Sequence, residues 1–206
     1  EDSAIHVDKR LLCGKTKSSG TGFYFKDDSM SESGSEVIER NTKLLQVPQG
    51  SLLNVFTAFN DEEFKAIATD LRENFDFDEE LISLSYLVFL KLHNKNQFLL
   101  ETLPSIDEMG GNLLTWPEEA VENLMLPQVI YQVEHNRMQL NEFFHKLKDC
   151  LSGKKPETEG AEDSNMAQSE AEEEKGENDL EKKIKEKTLS LLDFDVALWA
   201  KCIFDS

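Results

Sequence analysis

Gly20-Thr-Gly-Phe-Tyr-Phe25, followed after a gap by Lys43-Leu-Leu-Gln-Val-Pro48, decides how the rest of the chain is read. Two glycines flanking one residue let the backbone turn tightly and approach a bound molecule, because no Cβ blocks positive φ or close contact. Taken alone, the pair reads as a glycine-bearing turn before a strand. The segments around it, and their order, carry the argument further. Residues 5–13 and 22–26 are short and β-prone, and 44–47 is another compact apolar run closed by Pro48, so three or four short strands are expected. The intervening 27–36, rich in Asp, Ser and Gly, reads as a solvated loop.

From Asn60 onward the period becomes helical. Asn60 or Asp61 can cap a helix whose Phe64, Ile67, Ala68 and Leu71 share one face. Residues 78–93 are apolar on nearly every side, which predicts a helix at the centre of a core. Thr115-Trp-Pro-Glu118 has the form of a helix start, with Thr115 and Glu118 as a capping box and Pro117 in the first turn. Pro127 reads as an end or a bend. After it, Ile130, Val133, Arg137, Leu140, Phe144 and Leu147 mark a long amphipathic helix, with Arg137 interrupting the stripe. Residues 151–180 form an acidic linker with almost no large apolar side chain, expected to be disordered. A helix returns at 180–187, and 189–204 reads as a last helix with Leu192, Val196, Trp199 and Ile203 on one face.

The chain of 206 residues carries a formal charge of -19, of which Glu157–Asp179 supplies much, with ten acids against one lysine. Phosphates and anionic membranes would be repelled at long range, so direct nucleic-acid or membrane binding is not expected and a basic protein partner fits better. Cys13, Cys150 and Cys202 are odd in number and widely spaced, which predicts reduced thiols and a cytoplasmic or nuclear setting. His6, His93, His135 and His145 lack metal-site spacing, so no metal is expected. Neither a nucleophile elbow nor an activated cysteine is visible, and hydrolase chemistry has no support. The pairs Glu62-Glu63, Glu79-Glu80 and Glu118-Glu119 each sit at a predicted helix start, where carboxylates favour the dipole. Trp116 reads as a staple at a helix start and Trp199 as core.

In this order the segments resemble the SET-domain protein-lysine methyltransferases of the Rubisco-methyltransferase type, which include enzymes acting on ribosomal proteins and elongation factors. Gly20-Thr-Gly-Phe23 is similar to the family's Gly-x-Gly-Leu opening, with phenylalanine in place of leucine. Thr42-Lys-Leu-Leu-Gln-Val-Pro48 with Ser51-Leu-Leu53 is similar to the strand and "Val-Pro, Ser-Leu" step that follows it. Ser83-Leu-Ser-Tyr-Leu-Val-Phe-Leu-Lys-Leu92 matches the buried helix before the family's helical insert. Phe98–Pro104 and Leu114-Thr-Trp-Pro-Glu-Glu119 fall at two further signatures, and Asp193–Ser206 resembles the helix that returns to the SET core. The loop 27–36 and the acidic tract after Cys150 stand as insertions.

The resemblance implies an α+β fold: a small β portion (1–60) that is the N-terminal part of a SET domain, a mostly helical insert (61–150), the acidic linker (151–180) and a returning C-terminal helix (181–206). It implies S-adenosylmethionine as cofactor, held along Gly20, Thr21, Gly22 and Phe23. The family's Arg-x-Phe, Asn-His and catalytic tyrosine would lie beyond Ser206, so no catalytic residue is expected within these residues and the isolated chain is expected to be an inactive monomer. The implied substrate is a basic or translation-related protein. The alternative is a non-enzymatic acidic helical module that binds a basic protein.

Overall fold

The computed structural model describes residues 5–16, 20–25, 39–48, 52–154 and 179–205. The loop 27–36 and residues 155–178 of the acidic linker lie outside them. The architecture is α+β, and the chain divides into two compact units, Glu1–Leu52 and Leu53–Ser206.

The first unit holds four short strands in two antiparallel pairs. Strand β1 (His6–Val7) pairs with β4 (Leu45–Gln46), and β2 (Leu11–Thr16) pairs with β3 (Gly20–Phe25). Between β1 and β2 the chain reverses at Asp8, whose carboxylate accepts from the Arg10 amide at 2.9 Å and from the Arg10 guanidinium at 2.9 and 2.8 Å. Those hydrogen bonds hold the Asp8 carboxyl far below the usual carboxylate range.

The second unit is helical. Helix α1 (Val55–Asn60) leads into α2 (Lys65–Asn74), α3 (Glu79–Leu92) and α4 (Gln97–Thr102). Two 3-10 turns, Ile106–Met109 and Leu113–Thr115, precede α5 (Glu118–Glu122) and α6 (Pro127–Leu151). Helices α7 (Asp179–Leu191) and α8 (Phe194–Phe204) complete the unit. Asp78 starts α3 by accepting from the Leu81 amide at 2.8 Å, and all residues from Ile82 to Leu90 are buried, so the expected central helix is present. Helices α1, α2, α7 and α8 pack around it, and α6 lies against α2, α7 and α8. Two serines share this interior because Ser83 and Ser85 donate to the carbonyls of Glu79 and Leu81, one turn back, at 2.7 and 2.8 Å.

An aromatic cluster anchors α3. The Phe64 ring lies 5.1 Å from those of both Tyr86 and Phe89, and Phe89 lies 4.4 Å from His93. The Tyr86 hydroxyl donates to Asp61 at 3.1 Å. Burial and the Asp61 charge push the Tyr86 phenol up to about 12.

Several sequence expectations are corrected. Asp61 does not cap a helix that starts immediately after it. It accepts from the amides of Glu63 and Phe64 inside a turn, and α2 begins at Lys65. Helix α1, unforeseen, is closed by a reciprocal box in which the Asn54 side chain accepts from the Thr57 amide and the Thr57 hydroxyl from the Asn54 amide. Thr115 does not cap α5, whose N-cap is Pro117; its hydroxyl donates to the Asn112 carbonyl at 2.8 Å. Pro127 begins α6 instead of ending a helix, as suits a residue with no amide to donate. Arg137 fits the stripe of α6 because its guanidinium donates to the Trp116 carbonyl. Phe143 is buried and Phe144 only partly so. The final helical stretch is broken at Leu192–Asp193, and α8 buries Ala197, Trp199, Ala200 and Cys202.

Helix α7 is held by polar clasps, with Thr188 its one buried residue among those described. Lys185 Nζ donates to Asp70 Oδ2 at 3.1 Å, and the same oxygen accepts from the buried thiol of Cys150 at 3.4 Å. Burial alone would raise Asp70, but bonds from Asn74, Lys185 and Cys150 together with the lysine charge bring it below the ordinary carboxylate value. The second clasp is His93 Nε2 to Thr188 Oγ1 at 2.8 Å. The Thr188 hydroxyl already donates to the Ile184 carbonyl, so the imidazole is the donor and its Nε2 carries the proton.

Burial and the nearby charges of Lys187 and Lys95 depress the His93 pKa below 6.5, against the opposing pull of Glu63 and Asp61. The sign follows from linkage. Above 6.5 the ring is neutral folded and unfolded; below it the unfolded chain takes up a proton that the folded chain resists, so stability falls as pH drops. His93→Gln keeps a donor to Thr188 and removes the titration. The wild type should therefore lose more stability than His93→Gln in urea unfolding between neutral pH and pH about 5. Parallel pH profiles for the two proteins would contradict the assignment.

Candidate cofactor-binding strand

All four residues proposed to hold the cofactor, Gly20, Thr21, Gly22 and Phe23, lie on β3, in extended backbone. The expected tight turn is thus corrected: Gly22 sits inside an antiparallel ribbon, opposite Gly14, and its φ is outside the left-handed region. Its lack of a side chain has a different consequence. Strand alternation sets Gly22 and Tyr24 on one face and Phe23 on the other.

On the first face the paired glycines expose bare backbone. A Cβ added at Gly22 would meet nothing within 4 Å. A Cβ added at Gly14 would lie 3.2 Å from the Tyr24 hydroxyl oxygen and 3.3 Å from the ring, because Tyr24 leans diagonally across the ribbon. The result is a notch of open space over the Gly22 backbone, while the Tyr24 ring, 39% exposed, lies over Gly14. On the second face Phe23 is 60% exposed, beside Cys13 on the neighbouring strand. Neither Gly14 nor Tyr24 was singled out by the sequence. The available signal was Gly14 in a β-prone run that could pair with 20–25, but the register that joins it to Gly22 is not visible along the chain.

The open backbone at Gly22 is compatible with the group the resemblance implies, because an amino-acid moiety can approach a strand closely where no Cβ stands in the way. Cys13 is an exposed thiol on the ribbon itself, and the other two cysteines are buried in the helical unit. Burial and the Asp70 charge push the Cys150 thiol far up, and burial likewise raises Cys202, so both are poor nucleophiles. Among the described residues no cluster of His, Cys, Asp or Glu could hold a metal ion, and no helix is long and apolar enough to cross a membrane. The glutamate pairs act locally: Glu79 and Glu80 occupy the first turn of α3, Glu118 and Glu119 that of α5, and Glu63 binds Lys95 at 3.1 Å in the turn before α2. Both tryptophans are anchored by their indole N–H groups, Trp116 to the Gly110 carbonyl at 2.7 Å and Trp199 to the Pro104 carbonyl at 2.8 Å. Comparison of the chain with protein-family models, with curated proteins and with solved structures finds no match.

Proposed function

We propose that these residues are the N-terminal portion of a SET-type protein-lysine methyltransferase, in which β3 forms one edge of the S-adenosylmethionine site. The observation that carries this reading is the notch at Gly22, a stretch of strand backbone open to a ligand. A second feature supports it. The ribbon leaves Leu12, Phe23 and Tyr24 exposed, and Val7 and Leu45 on the other strand pair, with Ile5 and Val47 next to it, are exposed as well. Two-stranded ribbons bury too little surface to stand alone, so these faces suit a small β portion that further β structure covers.

When bound, S-adenosylmethionine supplies an electrophilic methyl group. The role of this chain is to bind and orient: the backbone of Gly20, Thr21, Gly22 and Phe23 holds the amino-acid part. No Arg-x-Phe and no Asn-His occurs in the 206 residues. Methyl transfer requires a neutral amine held in line with the methyl group, and such positioning supplies much of the acceleration. The net charge of -19 favours a basic protein substrate such as a ribosomal protein or translation factor.

The test is transfer of radiolabelled methyl from S-adenosylmethionine to ribosomal proteins and translation factors by the full-length gene product. Label on a lysine side chain is expected with the full-length protein and none with the 206 residues alone. Absence of label with the full-length protein, in cell extracts as well as purified substrates, would favour the non-enzymatic acidic module.

A further inference from the structure

A groove of about 450 Å³ lies between the first half of α6, the segment 111–114 and Asp205 at the end of α8. Its floor is apolar, with Val129 and the buried Val133, but one wall is a row of carboxamides: Gln128, Gln132 and Asn136. They recur every four residues on one helix, so successive members are about 6 Å apart along the axis. An extended polypeptide repeats every two residues, about 6.6 Å. Each carboxamide offers a donor and an acceptor, as a peptide group does, so the row can bond alternate peptide units of a strand laid beside α6.

The bonding within the row leaves that capacity open. Gln132 Nε2 donates to Asn136 Oδ1 at 2.9 Å, which frees the Gln132 oxygen and the Asn136 nitrogen. Gln128 has no side-chain partner among the described residues. Across the groove, Asn112 Oδ1 accepts from the Leu114 amide at 3.0 Å, so its nitrogen remains available. The margin is clear as well, because a Cβ at Gly111 would meet nothing within 4 Å. Among the described residues Asp205 is the one charged residue lining the groove, and one of its oxygens is ion-paired with Lys201 at 2.8 Å. The second Asp205 oxygen can take a further cation, and the net charge of -19 favours a cationic occupant.

We propose that this groove docks an extended, basic polypeptide segment, with the Gln128, Gln132 and Asn136 ladder gripping its backbone and Asp205 receiving a lysine or arginine. Main-chain bonds give such docking its affinity and side-chain pairing its selectivity, as in other modes that read an extended peptide. Docking here is independent of methyl transfer, since it needs neither cofactor nor turnover.

Fluorescence anisotropy with a labelled decapeptide of alternating lysine and threonine tests it, at about 0.15 M salt so that long-range attraction is screened. The probe should bind saturably, and combined Gln128→Ala, Gln132→Ala and Asn136→Ala should weaken it at least about tenfold, which is about 1.4 kcal/mol. The same probe N-methylated at alternate residues should weaken similarly, since it lacks the donors the ladder reads. Glu142→Gln, on α6 but outside the groove, should bind like the wild type, and circular dichroism should show unchanged helicity in all variants. No saturable binding below millimolar concentration would overturn the proposal. So would full affinity of the triple variant, or equal affinity of the methylated probe.

Discussion

Phe89→Ala is expected to destabilise the helical unit by about 3–5 kcal/mol, the range for emptying a large aromatic site in a packed core. Phe89 is 1% exposed in the C-terminal part of α3. It touches Phe64, Tyr86 and His93, and Lys95 Nζ lies 5.1 Å above it. Truncation removes those contacts and opens a cavity that the surrounding helices cannot close without moving, because α1, α2, α7 and α8 are all fixed against α3. A domain of ordinary stability has about 5–15 kcal/mol in total, so a large part of the margin would go. Phe56→Ala is the control, since that ring is 61% exposed on α1 and should change stability by no more than about 0.5 kcal/mol. Urea unfolding with an unchanged slope is the measurement. A cost for Phe89→Ala close to that of the control would mean that α3 is not the centre of the core.

Gly22→Val, in the full-length gene product, should weaken S-adenosylmethionine binding at least about tenfold while leaving the melting temperature unchanged or slightly higher. The two effects have opposite signs for one reason. Valine suits an extended strand better than glycine, and the space at Gly22 is open, so folding loses nothing. The same branched side chain fills the notch and keeps a ligand off the backbone. Gly22→Ala should fall between the wild type and valine. Unfolding by either change, or cofactor affinity that survives valine, would remove Gly22 from the site.

Much of the helical unit was legible because burial leaves a linear trace. Ile82 to Leu90 is apolar or small throughout, and only a helix enclosed on all sides uses such a run. The stripe of α6 was legible for the same reason, even with Arg137 in it. What stayed hidden depends on partners distant in sequence or on competing local bonds. Thr115 had the right spacing from Glu118, but Asn112 three residues earlier offered its carbonyl. The six residues of α1 include one buried side chain, Ala58, too few to show a period. Leu189 to Ile203 keeps an apolar rhythm across the break at Leu192–Asp193, so periodicity alone joined two helices. At the candidate site, the Gly-x-Gly spacing suggested a tight turn where the chain forms a strand. The notch arises where Gly14 pairs with Gly22 across the strands, and no pattern within 20–25 encodes that pairing.

Calorimetric titration of S-adenosylmethionine into the full-length gene product tests the proposed function most directly. The account predicts saturable binding of one molecule per chain, abolished or weakened by Gly22→Val and undetectable in the 206 residues alone, where one edge of the site stands without the rest. Absence of binding to the full-length protein, or binding indifferent to Gly22, would contradict it.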